Sequence, residues 1–184
     1  MVAQVTISKV YKIWEACATE FSQPTLTQVH LVKGWALASD GFMLAAVPAT
    51  YAGDPIQIPA AAVKAAAGNP IIIEDASVWT TKGQGFRLVK PTQIPSWLKT
   101  IPTDVELTIA SLAFNPTLMR RLCRAIGLGK TPYNTAQVYR TPGDFTSIVI
   151  PGAGEAIGVL MPMMTTPHPE QVTKALATIR EAIA

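Results

Sequence analysis

The stretch Gly34 to Pro48, GWALASDGFMLAAVP, constrains this chain more than any other. Its two apolar runs, Trp35 to Ala38 and Phe42 to Val47, flank Ser39-Asp40-Gly41, and Asp-Gly between apolar runs is a strong hairpin signal because glycine takes φ > 0 at no steric cost. A tight antiparallel hairpin is expected. With so little polar alternation it cannot face water on both sides, so other parts of the chain must cover it.

The remaining elements follow from period and punctuation. Ser8 precedes Val10, Ile13, Trp14, Cys17 and Phe21, apolar at helical spacing, which predicts a first helix closed by Pro24. Leu26 to Val32 reads as the strand that enters the hairpin. Beyond the Gly53-Asp54-Pro55 loop come a short strand, Ile56 to Ile58, and an alanine-rich second helix opened by Pro59 and ended by Gly68. Ile71 to Glu74, Ser77 to Thr81 and Phe86 to Lys90 are three further strands. Pro91 to Thr103 carries three prolines, matches neither period and reads as an extended connector.

Val105 to Ile109 is again a strand. The clearest helix opens at Asn115-Pro116 and ends at Gly127, since Asn accepts from the unpaired N–H groups of a first turn and proline suits the first helical position. Leu118, Met119, Leu122, Cys123 and Ile126 form its apolar face, and Arg120, Arg121 and Arg124 its other side. Thr135 to Tyr139, Phe145 to Ile150 and Ala156 to Met161 are strands, and a last amphipathic helix runs from Pro169. A lead-in, a helix and about three strands thus recur at roughly 1 to 51, 55 to 90 and 104 to 164, the spacing of an internal repeat.

With 184 residues, 49% of them hydrophobic and 15% charged, the chain can bury a substantial core. Fifteen Lys and Arg against 12 Asp and Glu leave a formal +3, which admits an anionic partner without the charge of a dedicated nucleic-acid tail. Cys17 and Cys123 sit at apolar positions and are expected as buried thiols in a reducing compartment. The N-terminus lacks the basic and apolar segments of a signal peptide, and no run reaches the ~18 apolar residues that span a bilayer. A cytoplasmic protein with no membrane segment is expected.

Spacing assembles no catalytic chemistry. His30 and His168 lack ligand spacing to a cysteine or a second histidine, so neither a metal nor another cofactor is expected. Gly129-Lys130-Thr131 ends like a phosphate-binding loop, but Arg124 stands where its first glycine belongs and the segment follows a helix. The chain does not read as an enzyme.

Several segments together resemble the bacterial DNA sliding clamp, the β subunit of the replicative polymerase. Ala38-Ser39-Asp40-Gly41-Phe42-Met43-Leu44-Ala45 is similar to its T-D-G-H-R-L-A signature, and Ile56-Gln57-Ile58-Pro59 to its I-V-P strand and helix. Lys99-Thr100-Ile101-Pro102 is similar to the connector before its last domain. Phe114-Asn115-Pro116 and Val159-Leu160-Met161-Pro162-Met163 are similar to its final repeat and terminal M-P-M-R. The resemblance implies an α+β fold of DNA-clamp-like repeats: a two-repeat domain over 1–93, a connector over 94–103, a one-repeat half domain over 104–165 and an extra C-terminal helix over 166–184. Clamps of this family have three two-repeat domains and close as dimers into rings of about twelve repeats. This chain matches the middle domain and the last repeat alone. Four copies of three repeats would restore twelve, so a homo-oligomer is expected.

The resemblance also implies two sites. The partner-binding groove of the family, which takes an extended peptide from polymerase or repair proteins, falls on Leu26, Ser39, Gly41, Phe42, Met43, Leu44, Pro102, Val105, Val159, Met161, Pro162 and Met163. Phe42 and Met43 stand where the family has His-Arg, and Met164 where it has Arg, so the polar rim is gone. Double-stranded DNA would be met through phosphates by Lys9 and Lys12 on the first helix, Lys64 on the second, and Arg120, Arg121, Arg124 and Lys130 on the third. The expected function is that of a minimal sliding-clamp-like processivity factor in DNA replication or repair. The alternative is a clamp-derived interaction module that neither binds DNA nor closes a ring.

Overall fold

A computed structural model describes residues 2–19, 24–88, 106–107, 115–128, 139–140 and 148–161. The Gly34 to Pro48 hairpin forms as expected, from β3 (Trp35–Ser39) and β4 (Met43–Pro48), with Ser39 opposite Leu44. Its turn is built from side chains as much as from backbone. Gly41 takes φ 93, Asp40 Oδ1 accepts from the N–H groups of Phe42 and Met43 at 3.1 Å each, and Ser39 Oγ accepts from Gly41 N at 3.1 Å.

Around this hairpin the order is β1 (Val2–Val5), a 3₁₀ turn (Ile13–Ala16), a second 3₁₀ turn (Pro24–Thr27), β2 (Gln28–Val32), β3, β4, β5 (Ile56–Pro59), α1 (Ala60–Ala66), β6 (Ile71–Glu74), β7 (Ser77–Thr80) and β8 (Gly85–Arg87). It continues with β9 (Glu106–Leu107), α2 (Pro116–Ala125), β10 (Tyr139–Arg140), β11 (Ile148–Pro151) and β12 (Ile157–Leu160). Two antiparallel sheets result, one ordered β1-β6-β7-β8 and the other β5-β2-β3-β4-β12-β11-β10-β9. The fold is α+β, with the repeat of lead strand, helical segment and three-strand meander present three times.

The lead strands reveal the logic of assembly. β1, which opens the first repeat, pairs with β6 of the second, and β5, which opens the second, pairs with β2 of the first. In the third repeat, among the described residues, β9 pairs with its own β10. The sheets of the first and third repeats then join edge to edge, β4 against β12, with Met43 opposite Leu160 and Leu44 opposite Val159.

Helical elements cover one face. The Ile13–Ala16 turn packs against both α1 and α2 and against β3 and β4 beneath. Ile13, Ala16, Ala62, Val63, Leu122 and Ile126 close a single core with Val29, Leu31, Ala36, Ala38, Met43, Ala45 and Leu160 from the large sheet. Gly158 lets α2 approach closely, because a Cβ there would lie 2.9 Å from Leu122 Cγ. That contact is the cover the hairpin sheet requires.

One expectation is corrected outright. Of the helix predicted from Ser8 to Phe21, the described residues, through Thr19, hold only the 3₁₀ turn Ile13–Ala16, ended by Cys17 in extended conformation with ψ 152. The turn buries Ile13 and Ala16, an i, i+3 pair, and the next backbone groups are taken by tertiary partners. Ala18 N donates to Leu26 O at 2.8 Å, while Arg121 takes the carbonyls of Glu15 and Cys17. The strand expected from Leu26 starts at Gln28, after the 3₁₀ turn. α1 stops one residue early, with Ala67 at φ 51 as its left-handed cap ahead of Gly68. α2 matches its signals: Asn115 Oδ1 accepts from Thr117 N at 3.0 Å and Leu118 N at 3.4 Å, and Pro116 is the first helical residue. The expected connector and C-terminal helix lie outside the described residues.

Candidate functional site

The predicted groove residues gather at one place, the turn end of the β3–β4 hairpin where β12 leaves the sheet. Met161 N donates to Phe42 O at 3.1 Å, which extends the β4–β12 ladder by one bond. Leu26 lies beside the turn, with its Cδ1 3.7 Å from where a Gly41 Cβ would be. Ser39, Met43, Leu44 and Val159 are buried, whereas Phe42 is 63% and Met161 47% exposed. The two exposed apolar side chains therefore stand at residues joined by a backbone hydrogen bond, at the seam between the first and third repeats. Met43 belongs to the core, so of the Phe42-Met43 pair the first alone is available to a ligand. Pro102, Val105, Pro162 and Met163 lie outside the described residues.

The predicted basic residues separate into two groups. Lys12, Lys64, Arg121 and Arg124 line one open cleft of about 550 Å³ between the Ile13–Ala16 turn, α1 and α2, together with Trp14, Glu15 and Thr19. Lys9 and Arg120 are exposed but do not line it, and Lys130 lies outside the described residues. Lys9 and Lys12 precede the 3₁₀ turn and are not on a helix. Within the cleft Arg124 Nη2 pairs with Glu15 Oε1 at 2.9 Å. Arg121 Nη1 pairs with Asp40 Oδ2 at 3.0 Å, its Nε donates to Glu15 O at 2.9 Å and its Nη2 to Cys17 O at 2.9 Å.

Sequence reading had no route to these pairs. Asp40 was legible as a turn residue, but its partner Arg121 lies 81 positions away. A second arrangement missed is polar: Gln28 and His30 alternate with core residues Val29 and Leu31 on β2, and Gln57 faces His30 from β5. All three are buried, on the sheet face opposite the helices. His30 Nε2 donates to Thr25 O at 3.0 Å, and burial lowers its pKa below the ordinary histidine value. The alternation of Gln28 and His30 was the available signal. Burial pushes the Cys17 thiol up to about 12, and it donates weakly to Gln28 O at 3.5 Å, so it is an inert core thiol. Among the described residues no cluster of three His, Cys, Asp or Glu could hold a metal, and no helix is long and apolar enough to cross a membrane.

The architecture as a whole is similar to that of solved structures. The polymerase III β subunit of Borrelia burgdorferi, in complex with a natural product, superimposes with a TM-score of 0.64 over 90% of this chain and 65% of that one, at 10% identity. This chain has the fold of the bacterial DNA sliding clamps. The Helicobacter pylori β clamp bound to a DNA ligase peptide gives a TM-score of 0.65 at 9% identity over 89% of this chain and 66% of its own. The Bartonella birtlesii clamp bound to griselimycin gives 0.53 at 13% identity over 92% and 67%. The clamp fold is therefore present at about two thirds of the length of those clamps. No protein-family model and no curated protein matches the sequence.

Proposed function

We propose that this chain is a sliding-clamp-like binding protein that takes an extended peptide from replication or repair partners at the Phe42–Met161 seam. The observation that supports this most directly is the pair itself: two exposed apolar side chains on backbones locked together, over a floor of buried Ser39, Leu44 and Val159. A rigid floor with adaptable apolar walls suits an extended peptide, and Met is the most adaptable of such walls. Phe42, exposed where the family has His, selects a more apolar client. The groove also includes Pro102, Val105, Pro162 and Met163 in this reading. A fluorescein-labelled copy of the ligase peptide bound by the Helicobacter clamp provides the test by fluorescence anisotropy. Saturable binding is expected, weakened at least tenfold by Met161→Asp, a loss of about 1.4 kcal/mol; equal binding by the variant would refute the groove.

In the same reading the basic cleft meets duplex phosphates through Lys12 and Lys64, with Lys9 and Arg120 beside it and Lys130 completing the set. A second reading, an interaction module without DNA, is favoured by one observation: Arg121 and Arg124 are already paired with Asp40 and Glu15. Duplex affinity that falls steeply with salt in the wild type and less steeply in Lys12→Ala/Lys64→Ala supports the first reading. Absence of salt-dependent binding supports the second. Homo-oligomerisation belongs to the first reading, and light scattering of a strict monomer at micromolar concentration would remove it.

A further inference from the structure

We propose that Asp40 and Arg121 form a clasp that positions Phe42 for the peptide, so that Arg121 serves the groove and not the nucleic acid; this rests on the groove reading above. The two oxygens of Asp40 have separate tasks. Oδ1 accepts from the N–H groups of Phe42 and Met43 at 3.1 Å each, and Oδ2 accepts from Arg121 Nη1 at 3.0 Å. The carboxylate is 8% exposed, so this is a nearly desolvated charge-assisted bond, stronger than a neutral one.

Three of the five guanidinium N–H groups of Arg121 are engaged in these bonds, and its charge is offset by Asp40 at 3.0 Å, so the side chain is held in place more than it is offered to a phosphate. Nε and Nη2 hold Glu15 O and Cys17 O at the end of the 3₁₀ turn, and Nη1 holds Asp40. A planar fork engaged once at each of its three nitrogens is fixed in orientation, which a lysine could not reproduce. The chain of contacts runs from α2 through Arg121 and Asp40 to the backbone of Phe42, whose carbonyl is then held by Met161 N. The third repeat thus reaches Phe42 on both sides, directly at its C=O through Met161 and at its N–H through Arg121 and Asp40. The exposed ring of Phe42 therefore projects from a backbone held at both ends.

Uniform 4-fluorophenylalanine labelling yields five ¹⁹F lines, one per phenylalanine, with the Phe42 line identified by Phe42→Tyr. Arg121→Met is expected to move the Phe42 line and leave the others in place, with Arg121→Lys, which keeps one donor, intermediate. Peptide affinity should fall about tenfold in Arg121→Met and in Asp40→Asn, and no further in the double variant, because the two side chains act as one unit. The salt slope of duplex binding should be unchanged in Arg121→Met. An unmoved Phe42 line, additive losses, or a shallower salt slope would each overturn the proposal. If the wild type takes no peptide, the groove reading fails, and the ¹⁹F lines still decide the clasp. Arg121→Lys carries the same measurements should Arg121→Met not fold.

Discussion

The first two repeats and the third solve one problem in two ways. Each three-strand meander leaves the edge of its first strand open, and an unpaired edge must be covered or it pairs with something else. The first two repeats lend each other a strand, β1 onto β6 and β5 onto β2. The third supplies its own β9 to β10. The position filled is the same in all three, so the requirement is the capped edge, and exchange is one means of meeting it. Exchange makes the first two repeats mutually dependent, whereas the third is attached through the β4–β12 ladder, the α2 contact and the Asp40–Arg121 clasp.

Substitutions can break that comparison or sharpen it. Val5→Asp has the largest expected effect, because Val5 is fully buried on the exchanged strand and an unpaired carboxylate there costs more than about 4 kcal/mol. Both of the first two repeats should lose protection from hydrogen exchange together; loss confined to the second repeat's sheet would show that exchange does not couple them. Leu122→Ala is next. It empties space under Gly158 and should cost about 3 kcal/mol in urea unfolding, with amides of β11 and β12 opening before those of β6 and β7.

The smallest effect is a pH dependence carried by the first repeat. His30 has a lowered folded pKa, so the unfolded chain binds its proton first as pH falls. Its contribution to stability is intact above the ordinary value near 6.5 and is lost as pH drops from there towards the folded value. His30→Asn should flatten the change in urea midpoint between pH 7.5 and 5.5. A slope identical to wild type would assign the dependence to other groups.

Residues whose signals are local were legible in the sequence. Asp40-Gly41 set the hairpin, and Asn115-Pro116 set α2, because each turn or cap is satisfied within three residues. The helix read from Val10 onward misled because Ile13, Trp14 and Cys17 have helical spacing in a segment that makes one short turn, and Arg121, about a hundred positions away, takes the carbonyls of Glu15 and Cys17. The same distance hid the clasp. Of the candidate groove, Phe42 and Met161 could be nominated by resemblance, but that Met43 turns inward while Phe42 stays outside is decided by strand register, which sequence alone does not give.

The exchanged strands also dictate a timetable for synthesis. As the chain leaves the ribosome, β1 must wait for β6, since Val2 pairs with Glu74, and the edge of β2 stays open until Ile56 to Pro59 have followed. Closing so long a loop costs entropy before any contact repays it, and the nascent first repeat exposes a sheet edge throughout that interval. The third repeat carries its own edge strand ahead of its meander, so it needs no such wait. Pausing or chaperone occupancy at about residue 60 would therefore guard the most vulnerable moment in the life of this chain, before either repeat has its partner's strand.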